Sequence, residues 1–127
     1  MPEPIIFVDV SEILPGKVEE AKSAFKELTA FVEANEPRTI SYNVFFNPTE
    51  TMVTVVQVHP DSASMEFHVK TGAELFKRFA GLLSMQAMHV YGEASAELRR
   101  AMQTKATMLG AGALEVHDLH AGFSRLG

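Results

Sequence analysis

The chain has 127 residues, 46% hydrophobic and 21% charged, which is the length of one domain and the composition of a folded protein rather than a disordered one. Its formal net charge is −5 and its eleven Lys and Arg are scattered, so no basic stripe is available to follow a nucleic-acid backbone. There is no cysteine, which excludes disulfides, thiolate catalysis and Cys-bound zinc and fits a reducing compartment.

The start, MPEPIIFVDVSE, carries Glu3 and Asp9 and no basic segment, so it does not read as a secretory signal. No uncharged apolar run approaches the ~20 residues that span a bilayer. The expectation is a cytoplasmic protein without membrane partners. Residues 4–13 (PIIFVDVSEI) read as a strand closed by Pro15-Gly16. A helix is predicted from Lys17 to Asn35, with Val18, Ala21, Phe25, Leu28 and Val32 at helical spacing and Pro37 forbidding its continuation. Residues 39–46 and 52–59 are two strands joined by Asn47-Pro48-Thr49-Glu50, an antiparallel hairpin. Asp61 is placed to cap a helix starting at Ser62, because its carboxylate can accept the unpaired N–H groups of the first turn. That helix runs to Lys70, breaks near Thr71-Gly72, and resumes through Leu75, Phe76, Phe79, Leu82 and Leu83. Residues 85–91 form a fourth strand, a third helix covers 95–108, and Gly110 and Gly112 end it. The tail 113–123 reads weakly as a fifth strand.

The order β-α-β-β-α-β is the ferredoxin-like, α+β plan, here as one domain. Its core covers about 4–92 and a C-terminal helix and tail extend it over about 93–127. In this plan both helices cover one sheet face, and the other should turn polar if it met water. Instead strand one reads Ile5-Ile6-Phe7-Val8, and strand three carries Met52, Val56 and Val58 on one face with Val53 and Val55 on the other. A patch of that size calls for a cover. Two covers are open: a second copy packed sheet against sheet, making a homodimer, or the extra helix and tail folded over the face within one chain.

The run EILPGKVEEAKSAFKELTAFVEANEPRTISYNVFFNP, followed by a strand and then DSASMEFHVKTGAELFKRF, resembles the antibiotic biosynthesis monooxygenase-like family of the dimeric α+β-barrel superfamily. The features that carry it are the Pro-Gly-Lys after strand one, Tyr42 early in strand two, and His68 in the helix after strand three. It covers about residues 4–92. The resemblance implies cofactor-independent oxygenation of a small aromatic or quinonoid substrate, with no cofactor and no metal. The haem-degrading branch is less similar: it has a tryptophan near the place of His68 and a haem-ligating histidine where this chain reads GAELFKRF.

His68 sits in helical register with Met65 and Val69. It can deprotonate a phenol or quinol at neutral pH, or it can be a hydrogen-bonded histidine in the helix–sheet seam. Tyr42 shares a strand face with Ile40 and Val44, and a tyrosine hydroxyl in an apolar pocket takes a ligand or a backbone carbonyl as its partner. The two are the candidate catalytic residues, with Asn43 and Phe76 as substrate contacts in a cavity that suits a small apolar or flat aromatic ligand. His89 and Tyr91 share a face of the fourth strand and complete the candidate substrate set. His89 can approach Asp9 on the neighbouring first strand, or both can be solvated. His117 and His120 straddle Asp118, but their spacing suits a helix while the tail reads as strand or loop, so no metal site is expected. The competing function is a non-catalytic dimeric module that binds a small ligand or serves as a scaffold, which predicts a pocket where polar groups do not converge.

Overall fold

A computed structural model of the chain describes residues 4–110 and 114–125. Strand β1 (Ile5–Ile13) leads into helix α1 (Val18–Asn35), then β2 (Ser41–Phe46) and β3 (Met52–His59). Helix α2 (Ser62–Thr71) and the short α3 (Ala73–Lys77) follow, with a 3-10 turn over Arg78–Gly81. Strand β4 (Leu83–Tyr91), helix α4 (Ala96–Met108) and β5 (Leu114–His117) complete the chain. The sheet order is β2-β3-β1-β4-β5. Four antiparallel strands form the ferredoxin-like core, and β5 adds to β4 in parallel. A parallel neighbour needs a crossover, and α4 is that crossover.

Alternation decides which side chains meet the helices. In β1 the odd positions Ile5, Phe7, Asp9, Ser11 and Ile13 are buried, and in β3 so are Val53, Val55, Gln57 and His59. A bulge between Val10 and Ser11 lets Met85 and Met88 both face inward, three positions apart on β4. Against this floor lie Ala21, Phe25, Leu28 and Val32 of α1, Met65 of α2, Phe76 of α3, and Leu98, Met102 and Ala106 of α4.

Several expected boundaries shift. The fourth strand begins at Leu83 rather than 85, because Leu83 and Leu82 sink into the core at the end of the 3-10 turn instead of extending a helix. The tail contributes only Leu114–His117 as strand, and residues 118–125 are exposed. Gly110 follows α4 with φ +87, the left-handed stop its sequence announces. Gly112 and the beginning of the predicted tail strand at residue 113 lie outside the described residues. The extra helix packs on the helix side, with Leu98 and Met102 fully buried there, so it does not cover the opposite sheet face.

Candidate active site

The helix-facing surface of the sheet carries polar groups where its neighbours are apolar. Tyr42 of β2 lies beside Gln57 of β3, which lies beside Phe7 of β1. One pair further on, Asp9 is opposite Val55, and Ser11 is opposite Val53. His59 closes the row beside Ile5. Its Nε2–H donates to Gln57 Oε1 at 3.0 Å, and its Nδ1 accepts from the Ser64 hydroxyl at 2.9 Å. Both ring nitrogens are satisfied, and burial pushes the imidazole down to about 3, so His59 is neutral.

His68 comes from the last turn of α2. Asp61 starts this helix by accepting the Ser64 N–H at 3.0 Å, and the turn ends at Gly72, whose N–H bonds to the His68 carbonyl. Glu36, just past the end of α1, holds the imidazole with both carboxylate oxygens, 2.8 and 3.0 Å from Nδ1. A carboxylate only accepts, so the proton lies on Nδ1 and Nε2 keeps its lone pair. That Nε2 is buried and has no hydrogen-bond partner among the described residues, and the same holds for Ser11 Oγ and Gln57 Nε2. The His68 ring is packed among Phe76, Tyr42 and His59, at 5.2, 5.6 and 5.8 Å between ring centres.

Lys105 of α4 completes the enclosure. Its ammonium lies 4.2 Å from the Phe76 ring centre and 5.1 Å from that of Phe7, a cation over aromatic faces. Burial drives its pKa down, opposed by the charges of Asp9 and Glu36. Burial likewise raises Asp9 to about 6, with Lys105 pulling the other way. The Tyr42 phenol is pushed well above its ordinary range by burial and by the negative charges of Asp9 and Glu36. His68 is lowered by burial in spite of its hydrogen bond to Glu36. The site thus holds a neutral imidazole base and a carboxyl group that exchanges its proton near neutral pH.

Two spaces adjoin these groups. A small inner cavity of about 20 Å³ is bounded by Asp9, Ser11, Tyr42, Phe76 and Lys105 among apolar neighbours, enough for one water molecule. Outside it, between α1 and the edge strand β2, runs a groove of about 910 Å³ whose walls include Lys22, Lys26, Asn43, Val44 and Phe46. Tyr42 and Phe25 belong to both walls. They are the partition between groove and cavity.

No protein-family model and no curated protein matches the chain. Solved structures do match in fold. MupZ from Pseudomonas fluorescens superimposes with a TM-score of 0.70 at 21% identity, covering 97% of this chain and 95% of its own. SnoaB from Streptomyces nogalater, a cofactor-independent oxygenase, gives 0.62 at 13% identity over 74% of this chain and 96% of its own. A Bacteroides thetaiotaomicron protein whose name, antibiotic biosynthesis monooxygenase, is provisional gives 0.61 at 16% identity, covering 69% and 85%. This chain has the antibiotic biosynthesis monooxygenase-like fold. The α4–β5 extension belongs to the part shared with MupZ, whereas the overlap with SnoaB is shorter by about the length of that extension.

Within this monooxygenase-like fold, the predicted residues separate into three groups. His68, Tyr42 and Phe76 come together in the core, although His68 stands behind Tyr42 and Phe76 rather than in the inner cavity wall. Asn43 points to the other face of β2 and reaches the outer groove. His89 and Tyr91 lie on the open sheet face, away from both spaces. The expected approach of His89 to Asp9 is corrected: Asp9 pairs with Met88 and points inward, while His89 pairs with Val8 and points outward. The solvated alternative fails for Asp9 too, since it is buried at mid-strand. His117 meets His89 across β4 and β5, whereas His120 is exposed in the tail. Sequence reasoning passed over Glu36, Lys105, Gln57 and His59, and it named Asp9 only as a neighbour of His89. Among the described residues, no helix is long and apolar enough to cross a membrane.

Proposed function

We propose that the chain is a cofactor-independent monooxygenase acting on a small aromatic or quinonoid substrate, with His68 as the base. The observation that carries this reading is the Glu36–His68 pair, whose unpartnered Nε2 sits beside Tyr42 in an apolar core. The groove against α1 has the size of a small-molecule site, and movement of Tyr42, which lines the groove and packs on the His68 ring, opens it toward Nε2. The substrate gives a proton to Nε2, and Glu36 stabilises the resulting imidazolium. The substrate anion then reduces O₂ by one electron, and the radical pair combines into a peroxide. Loss of water from a peroxide at a former CH₂ leaves C=O, so one oxygen atom enters the product and the other leaves as water. Tyr42 and Phe76 orient the ring, and the dry surroundings keep the anion from being reprotonated. In the same reading the working form is a homodimer joined through the open sheet face.

Oxygen uptake with a panel of anthrones and quinols tests this. The wild type is expected to consume O₂, and His68→Asn to lose about a hundredfold or more in kcat. Glu36→Gln should move the acid limb of kcat/KM to lower pH, because the amide no longer supports the imidazolium. Failure to turn over any panel member, or unchanged turnover in His68→Asn, overturns the assignment. One observation favours a second reading: Asp9, with its pKa near 6, adjoins the same enclosure. An acid and a base together suit a non-oxidative proton-transfer reaction, and product formation without oxygen consumption would select it.

A further inference from the structure

The open sheet face carries a second cluster that the acid–base site does not use. On β4 and β5, in parallel register, His89 is beside Glu115 and Tyr91 is beside His117. Alternation puts all four side chains on one face. His89 Nδ1 is 3.0 Å from His117 Nε2, and Glu115 Oε2 lies 3.5 Å from each of these nitrogens. One N–H can bridge the two imidazoles. The carboxylate oxygen, at 3.5 Å from both, is too far for a good hydrogen bond to either.

Those three separations are the ones that neighbouring ligand atoms take around one ion. An ion ~2.0–2.2 Å from each atom fits over the triangle, no more than about 1 Å out of its plane. The rings are also held in place. Tyr91 stacks on His117 at 4.6 Å and 15°, and the His89 ring meets the His117 ring edge to edge, 5.2 Å between centres and 25° between planes. The backbone of His117 is tied down by the Gly92 N–H, 2.9 Å from its carbonyl. Two rings and a carboxylate from adjacent strands therefore bring their ligand atoms together, and a turn of the two imidazoles off their shared N–H···N line aims both lone pairs at one ion.

We propose that His89, Glu115 and His117 form a site for a late first-row divalent cation of the zinc class, on the face opposite the acid–base site. Two imidazoles and one carboxylate are a donor set such ions favour, and three protein ligands leave one coordination position for water or for a group of the second copy that the proposed dimer sets on this face. Beyond holding the ion, the site clamps the four-residue β5 to β4. The spacing of the tail histidines conceals this in the sequence, since the third ligand lies 26 residues before Glu115.

Titration of tag-free, chelator-treated protein with zinc chloride, followed by calorimetry, tests the site, with cobalt(II) absorption as a second readout. The expected result is one ion per chain with a Kd on the order of 1 µM or tighter, and a cobalt spectrum showing nitrogen and oxygen ligands. His117→Ala and His89→Ala should each weaken binding about a hundredfold, and Glu115→Gln about tenfold. His120→Ala and His68→Asn should bind as the wild type does. The proposal is overturned if the wild type binds neither ion, or if His89→Ala and His117→Ala both bind normally. Loss of binding in His120→Ala or His68→Asn would also overturn it, by placing the ion elsewhere.

Discussion

A carboxyl group at the centre of a strand, on the face that meets the helices, has to be read against its cost. Asp9 is raised by burial from an ordinary carboxylate's 3.8 to about 6, and Lys105 offsets only part of that. The folded protein therefore holds the Asp9 proton over a pH range in which the unfolded chain has released it. Stability falls as pH rises from about 4 to about 6, and the full cost of the ionised form is present above that. A shift of this size corresponds to roughly 3 kcal/mol. In Asp9→Asn the cost is removed, although Lys105 loses a counter-charge, so the net gain at neutral pH is smaller than that figure. The expected outcome is a flatter stability profile between pH 4 and 6, read from denaturant midpoints of the two proteins. Identical profiles would show that Asp9 is not held as described. Retaining such a residue in spite of its cost is what an acid–base site requires, since a group titrating near neutrality can both give and take a proton.

The break between α2 and α3 shows how an element places a side chain. Gly72 has an ordinary φ of −90, so its role is close approach rather than backbone freedom. A Cβ there would stand 2.7 Å from Phe76 Cζ and 3.2 Å from the His68 carbonyl. Gly72→Ala is expected to push Phe76 off the His68 ring and to destabilise the fold by about 1–3 kcal/mol. Thermal unfolding and the NMR shifts of the His68 ring protons measure both effects, and unchanged His68 shifts would count against the packing role. The same stretch shows what the sequence makes legible. Thr71-Gly72 announces the break, and the hairpin strands follow from alternation around an Asn-Pro turn. Asp9 and Lys105 were also within reach. Asp9 alternates with Phe7 and Ser11 on a buried strand face, and Lys105 falls on the Leu98–Met102 stripe of α4. In both, a polar residue interrupts an apolar period. Glu36 was not within reach, because its bond to His68 closes across 32 residues of chain and depends on where α1 ends over α2. The His89–His117 meeting was hidden for a similar reason: only the parallel register of β5 on β4 creates it.

At the scale of the whole molecule, the two sheet faces differ in what covers them. The described helices lie on one side, and the other presents the half-buried Ile6, Val8 and Val10 of β1 with Val56 and Val58 of β3, beside the exposed Phe45 of β2. Since α4 joins the helix layer and β5 extends the sheet edge beside β4, neither supplies the intramolecular cover considered from the sequence. A second copy of the same face is the cover proposed here, because a two-fold axis through the sheet lets identical apolar residues meet. Val56 is the place to test it, being the pairing partner of Val8 on one side and Asn43 on the other. An unpaired lysine there would have to lose its water on dimerisation, a cost of several kcal/mol for each copy. Light scattering of the wild type at tens of micromolar should give about twice the chain mass of 14.0 kDa, and Val56→Lys should give the single-chain mass. Phe67→Lys, which alters an exposed apolar residue on α2, should remain dimeric. A monomeric wild type, or a Val56→Lys protein of unchanged mass, would leave the face without its proposed cover. Because the Glu36–His68 pair lies on the other side of the sheet, the Val56→Lys monomer should keep that pair intact. Dimerisation and the acid–base site can thus be lost independently of each other.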